Sequence, residues 1–354
     1  MEASAISLRG GRSALKRSPL QRLPDQVLHW GLSGLAAGVL ILIGYFFVRL
    51  IGQSSTAFGH VGLVNFFVRS NWDVSQLNQG AACATAANAG CTFGAGALVI
   101  GTLITSVIAL VIGVPVAIAT ALYLTELCPR RARGPLTMLV DLLAAVPSVV
   151  YGLWGFFVLI PHLKGFQQSL GGTFSFLPFV GGTVAGPSYF IAGLILAIMI
   201  LPIVCAIARE VISTVPSEHK EGALALGATR WEMIRMSVLP YSRAGITGGA
   251  MLGLGRAIGE TVAVVLVIGN SPQLGHSIFQ QGYSLAAAIV NEFGEAASTP
   301  IHSSALFAAG LVLFVLTLVV NIVARRFVVR GTQGKRTAGA ALGHQAAAAG
   351  SATA

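Results

Sequence analysis

The chain has 354 residues, of which 55% are hydrophobic and only 10% charged, and its mean hydropathy is +0.79. Soluble proteins carry about 25% charged residues, so composition excludes an ordinary soluble enzyme and places the chain in a membrane as one polytopic unit. The net charge of +10 does not point to nucleic acid either, because the basic residues collect in particular loops rather than on one patch.

In chain order, residues 1–29 read as a disordered cytoplasmic tail. Six apolar runs follow, at about 30–51, 95–124, 136–161, 186–208, 243–270 and 303–325. Each reaches the roughly 20 residues that span a bilayer core. Backbone groups in lipid must be satisfied within the segment, so each run is predicted to be helical. The first run is too long and too far in for a cleaved leader and is read as a retained helix. Pro115, Pro147 and Pro202 fall inside the runs and predict kinks.

Lys and Arg divide unevenly between the two sides: 18 lie in the N-terminal tail, the second and fourth loops and the C-terminal tail. Only Arg69 and Lys164 lie in the loops opposite. The positive-inside rule then puts both termini in the cytoplasm of a multi-pass protein. The opposite-side loop 52–94 holds Cys83 and Cys91, which either pair as a disulfide or stay as two free thiols. The seven His form no ligand-spaced cluster, so no metal site is expected. "GTQGKRT" lacks the glycine spacing, the following Ser/Thr and the strand of a phosphate loop, so no ATP site is expected. Residues 331–354 read as a second disordered tail.

The loop 215–240, "VPSEHKEGALALGATRWEMIRMSVLP", contains two short helical runs separated by Gly227, a residue suited to the left-handed turn that ends a helix. Too short to span and flanked by basic residues, it is either a docking surface for another protein or an amphipathic connector on the bilayer. Its residues resemble the EAA loop of ABC importer permeases, with Glu221, Ala223, Gly227, Leu239 and Pro240 on the pattern and Gly222 replacing an alanine. "AVPSVVYGLWGFFVLIP", "LAIMILPIV", "LGATRWEMI", "GGAMLGLGRAIGETVAVVLVIGN" and "AAAIVNEF" further resemble the phosphate-importer permeases of the PstC type, over about 95–330. That resemblance implies an all-α type I ABC importer fold with about six transmembrane helices, in a bacterial inner membrane. It implies that the loop couples to a separate ATPase, which uses ATP and Mg while this chain binds no cofactor. The implied partners are a PstA-type sister permease, two PstB-type ATPase subunits and a periplasmic PstS-type phosphate-binding protein.

The run 243–270 carries Arg256 and Glu260 near its middle. A charge there costs about 2.5–3.5 kcal/mol on insertion scales, which marks both as functional candidates. On a continuous helix at about 100° per residue, Gly245, Gly249 and Gly253 share a face with both charges, so that face should meet another helix. Arg256 and Glu260 either neutralise each other and fix packing, or Arg256 offers its donor fork to phosphate in transit with Glu260 holding it. The resemblance carries both over as pathway charges. Ser148 and Tyr151, in a Pro/Gly-interrupted stretch, either contact substrate or pack around a kink. Asp141 is expected to bridge to Arg130 or Arg133, or to serve in gating. Asn291–Phe293 is read as part of a short helix that contacts the binding protein, or as a lid.

Competing readings are the permease of another oxyanion importer, for molybdate or sulfate, and a proton-driven secondary transporter working through Glu260. The EAA-like loop and the lack of an internal repeat count against the second. A membrane enzyme finds no nucleophile–base constellation.

Overall fold

The computed structural model of the protein describes residues 19–72, 93–173, 186–297 and 299–351, with 179, 181 and 184; Cys83 and Cys91 lie outside the described residues. The chain divides into two compact units, Met1–Leu50 and Ile51–Ala354. The first is the N-terminal part of α1 (Pro19–Val61), whose apolar residues run all round the helix with no polar face, the pattern of a helix set in lipid. It exceeds the predicted span 30–51 at both ends and takes in part of the expected tail 1–29.

The second unit is built from helices, and the isolated bridge Trp72–Phe93 is the one β pairing among the described residues. The order is α2 (Leu63–Val68), α3 (Gly96–Leu122), α4 (Arg130–Ala145), α5 (Ser148–Trp154), α6 (Ile160–Thr173), α7 (Tyr189–Ser213), α8 (Ser217–Ala225), α9 (Arg230–Met233), α10 (Leu239–Gly259), α11 (Val262–Val267), α12 (Leu285–Ala296) and α13 (Pro300–Ser351). Wide π turns at Tyr123–Leu127, Gly155–Leu159 and Ile234–Val238 continue α3, join α5 to α6 and lead into α10.

Among the described residues, five helical segments are long and apolar enough to cross a membrane: Val27–Val61, Gly96–Leu127, Ser148–Thr173, Tyr189–Ser213 and Pro300–Arg326. Two predicted spans differ from this. The run 136–161 is not one helix. It breaks at Val146, which is extended (φ −70°, ψ 128°) as a residue before proline tends to be. The amphipathic α4 therefore precedes the break and the crossing segment begins at Ser148. The run 243–270 breaks at Glu260, also extended (φ −74°, ψ 128°). Its 21-residue helix α10 rises about 30 Å, long enough to span, but its glycines and arginines keep its hydropathy low. At the other end, α13 continues to Ser351 where a disordered tail was expected over 331–354; the alanines there have the highest helix propensity of any residue.

Two apolar clusters hold the second unit. One gathers Trp72, Phe93, Tyr189, Ile195, Val267 and Leu285. The other gathers Leu122, Leu124, Val204, Ile212, Ala223 and Met233, so it reaches the loop after α7. Between them α3 and α7 interlock at glycines: a Cβ on Gly113 would stand 2.9 Å from the Ala197 carbonyl oxygen, and one on Gly193 would stand 2.5 Å from Ile108 Cγ2. Asp141 pairs with Arg209 of α7 at 3.4 Å rather than with Arg130 or Arg133, which ties α4 to the neighbouring helix.

Candidate functional site

The two helix breaks lie side by side. α5 begins just after the first and packs on α11, which begins just after the second: a Cβ on Gly152 would lie 3.0 Å from Ala263 Cα and 2.7 Å from Leu266 Cδ1. Each break frees backbone groups that need partners in a low-dielectric setting. At the first, the Tyr151 hydroxyl donates to the Leu143 carbonyl (2.7 Å). At the second, the Ala263 N–H donates to Glu260 Oε1 (3.4 Å), so Glu260, just ahead of the N-cap Thr261, meets one of the freed N–H groups of α11.

Arg256 stands next to this junction. Its Nη2 is 3.9 Å from Glu260 Oε2, with the arginine side chain 41% exposed and the carboxylate 9%. At that distance the contact is Coulombic rather than a hydrogen bond. Among the described residues no acceptor takes a hydrogen bond from the guanidinium, and Tyr151 lies within reach of its charge. Ser148 opens α5, half-buried, with no side-chain hydrogen bond among the described residues. The arrangement is a donor fork with open valences, beside a buried counter-charge too far away to saturate it.

The helix that carries Arg256 is seated by its glycines. Cβ atoms on Gly245, Gly249 and Gly253 would meet Val211 Cγ2 at 2.4 Å, Ile207 Cγ2 at 3.1 Å and Val204 Cγ2 at 2.8 Å, all on α7. Of the face drawn on a continuous wheel, the three glycines seat on α7, but Arg256 stays 41% exposed beside that contact and Glu260 leaves helical geometry.

The loop 215–240 folds as two short helices around a tight turn. α8 ends in a Schellman motif: Ala228 N–H bonds Ala223 O (3.2 Å), Gly227 N–H bonds Leu224 O (3.0 Å), and Gly227 has φ +83°. Thr229 and Glu232 form a reciprocal capping box at α9. The Thr229 backbone N–H, and then its hydroxyl, hold the Glu232 carboxyl below the usual range. Ala223 is buried, while Glu221, Gly222 and Leu226 are exposed. Leu239 is half-buried and Pro240 exposed at the start of α10.

One cluster is not legible in the sequence. Glu292 on α12 is 7% exposed and accepts from Trp72 Nε1 (3.0 and 2.8 Å), the Tyr283 hydroxyl (3.0 Å) and His302 Nε2 (2.9 Å). His302 stacks on Phe93 with centroids 5.8 Å apart. Burial, and then the carboxylate, push the Tyr283 phenol above its ordinary pKa, so it stays a donor. Glu292 is thus a buried knot tying three segments together, and the signal was its place in an outer stretch without basic residues.

Residues 113–331 match the model of the binding-protein-dependent transport system inner membrane component family. The chain is 42% identical to the phosphate transport system permease protein PstC of Mesorhizobium japonicum, over 87% of this chain and 91% of that one. It is 40% identical to the PstC of Haemophilus influenzae, over 84% and 90%. The fold resembles a bacterial ABC transporter that imports alginate, with TM-score 0.51 at 19% identity, covering 88% of this chain and 99% of that one. The chain therefore belongs to the binding-protein-dependent transport permeases, in the family of phosphate transport system permease proteins named PstC.

Proposed function

We propose that the chain forms half of the translocation pathway of an ATP-driven phosphate importer, with Arg256 as the pathway cation and 215–240 as the segment that docks a separate ATPase. The observation that carries the substrate part is the half-exposed Arg256 fork, whose nearest carboxylate lies 3.9 Å away. Guanidinium geometry matches two phosphate oxygens at once. A loosely held pair suits a conduit: Glu260 offsets the charge of Arg256 between passages and stays in place when the guanidinium turns to an anion. The relatives' names favour phosphate over molybdate or sulfate. ATP and Mg belong to the ATPase, and this chain holds neither. The sister permease, two ATPase copies and an external phosphate-binding protein complete the assembly in a bacterial inner membrane, with both termini cytoplasmic.

The test is phosphate uptake into proteoliposomes with the sister permease and ATPase supplied or withheld, for wild type and Arg256→Gln. Uptake is expected only with the ATPase present, and Arg256→Gln should lower it more than about 100-fold while the complex still copurifies, the loss expected when a charge-matched donor pair is removed. Uptake that persists without the ATPase refutes the importer reading. Wild-type uptake by Arg256→Gln refutes the role of the guanidinium.

A further inference from the structure

We propose that the ion pair between Lys220 and Glu126 is the strut through which displacement of α8 reaches the membrane helices. This rests on the importer reading, in which α8 belongs to the segment that meets the ATPase. Lys220 Nζ lies 2.6 Å from Glu126 Oε1, with side chains 22% and 10% exposed. The two residues are 94 apart in sequence, so the link is tertiary. A charge-assisted bond this short is among the strong ones. Pulling it apart strands a nearly buried carboxylate, a far larger penalty than for an exposed surface pair.

α8 is held by the Lys220–Glu126 pair, by buried Ala223, and by His219, whose ring centroid lies 6.3 Å from that of Tyr241 on α10. Lys220 and Ala223, three apart, share its inner face. Ala223 is buried in the apolar cluster with Leu124, Ile212 and Met233, while Glu218, Glu221, Gly222 and Ala225 are exposed on the outer face. A methyl contact is non-directional and lets a helix slide. The ammonium–carboxylate pair ties one point on α8 to the end of α3 and resists separation.

Glu126 is well placed to pass a load onward. It sits in the π turn Tyr123–Leu127 that continues α3. α3 cannot shift independently of α7, because Gly113 and Gly193 bring the two helices into backbone-close contact. α7 is in turn the surface on which Gly245, Gly249 and Gly253 of α10 rest. A push on Lys220 therefore travels by way of Glu126, α3 and α7 to the helix that carries Arg256. A second π turn, Ile234–Val238, packs in the same apolar cluster as Ala223 of α8; such turns are frequent at functional sites.

The experiment uses the whole complex in proteoliposomes, reading copurification of the ATPase, ATP hydrolysis, and phosphate taken up per ATP. Glu126 is nearly buried on the inner side of α8, away from its exposed face, so Glu126→Gln should keep the ATPase bound and hydrolysing while uptake per ATP falls about tenfold, within the usual span of coupling between sites. Lys220→Glu and Glu126→Lys should fall at least as far. The swapped pair Glu126→Lys/Lys220→Glu should recover to within about threefold of wild type, the non-additivity that marks a direct interaction. If a charge reversal prevents assembly, Glu126→Gln decides. Wild-type uptake per ATP in Glu126→Gln overturns the proposal, as does a swapped pair no better than either reversal. ATP-independent uptake by the wild type would instead remove the importer reading, and the strut with it.

Discussion

Replacing Glu292 tests the buried knot between Trp72, Tyr283 and His302. Each donor bonds the Glu292 carboxylate, at 2.8–3.0 Å, and hydrogen bonds to charged groups contribute about 1.5–3 kcal/mol each against about 0.5–1.5 for neutral ones. Glu292→Gln keeps the Oε1 position for Tyr283 and the longer Trp72 contact, while its amide NH2 at the Oε2 position meets His302 in its other tautomer but faces the Trp72 N–H donor against donor. Charge assistance and the shorter Trp72 bond are lost, at a cost of about 2–3 kcal/mol. Glu292→Ala leaves three buried donors unpaired, at about 1–3 kcal/mol each, so its loss should be about 3–6 kcal/mol after non-additivity. The assay is denaturant unfolding of the purified chain in detergent, followed by tryptophan emission. Trp72, at 2% exposure, is the buried tryptophan, while Trp30, Trp154 and Trp231 are 75%, 43% and 63% exposed, so the knot has its own optical reporter. An Ala variant that unfolds within about 0.5 kcal/mol of wild type, the scatter of an ordinary surface substitution, would refute the assignment, as would Gln and Ala variants of equal stability.

Two glycine substitutions on α10 should have opposite signs. Gly253→Ala sets a Cβ 2.8 Å from Val204 Cγ2 and should destabilise the isolated chain by about 1–3 kcal/mol. Gly255→Ala meets nothing within 4 Å and should stabilise it by about 1 kcal/mol through helix propensity. Equal shifts in denaturant midpoint would mean that α10 is not seated on α7. In the loop 215–240, Gly227→Ala adds a Cβ in open space but at φ +83°, a strain of about 1–2 kcal/mol. Copurification of the ATPase should therefore rank wild type above Gly227→Asn, which tolerates that φ, and Asn above Ala. Equal recovery of all three would show that the Schellman turn does not set the docking geometry.

What the sequence made legible was local or periodic. Apolar length marks the crossing helices, Gly227 marks the turn after α8, and the four-residue glycine spacing marks the face of α10 that packs. What it hid was either a break in a period or a pairing without one. Glu260 reads as an i,i+4 partner of Arg256 if the helix continues, and as an acceptor for the freed N–H groups of the next helix if it stops. Gly259 before it and β-branched Thr261 after it favoured the stop, but the apolar residues on both sides masked the boundary. Pro147 raised the same choice between a kink and an end. The Trp72–Glu292 and Lys220–Glu126 contacts span 220 and 94 residues, and no spacing rule brings such residues together.

Recognising both breaks changes what the four charged and polar pathway candidates can do. A helix interrupted within a bilayer must replace the backbone bonds it gives up. Tyr151 does this for the Leu143 carbonyl and Glu260 for the Ala263 N–H, so both side chains are already committed to the backbone before any substrate arrives. Ser148 offers one hydroxyl at the mouth of the first break. Arg256 alone combines a full charge with uncommitted donors, and its partner carboxylate is fixed in place by the helix that follows it rather than by the arginine. The carboxylate can therefore keep its position while the guanidinium turns towards an anion and back. On the proposed importer reading, a half-exposed cation over a fixed counter-charge would bind an anion weakly enough to release it, as a conduit requires, and tight selection would fall to a protein outside the membrane.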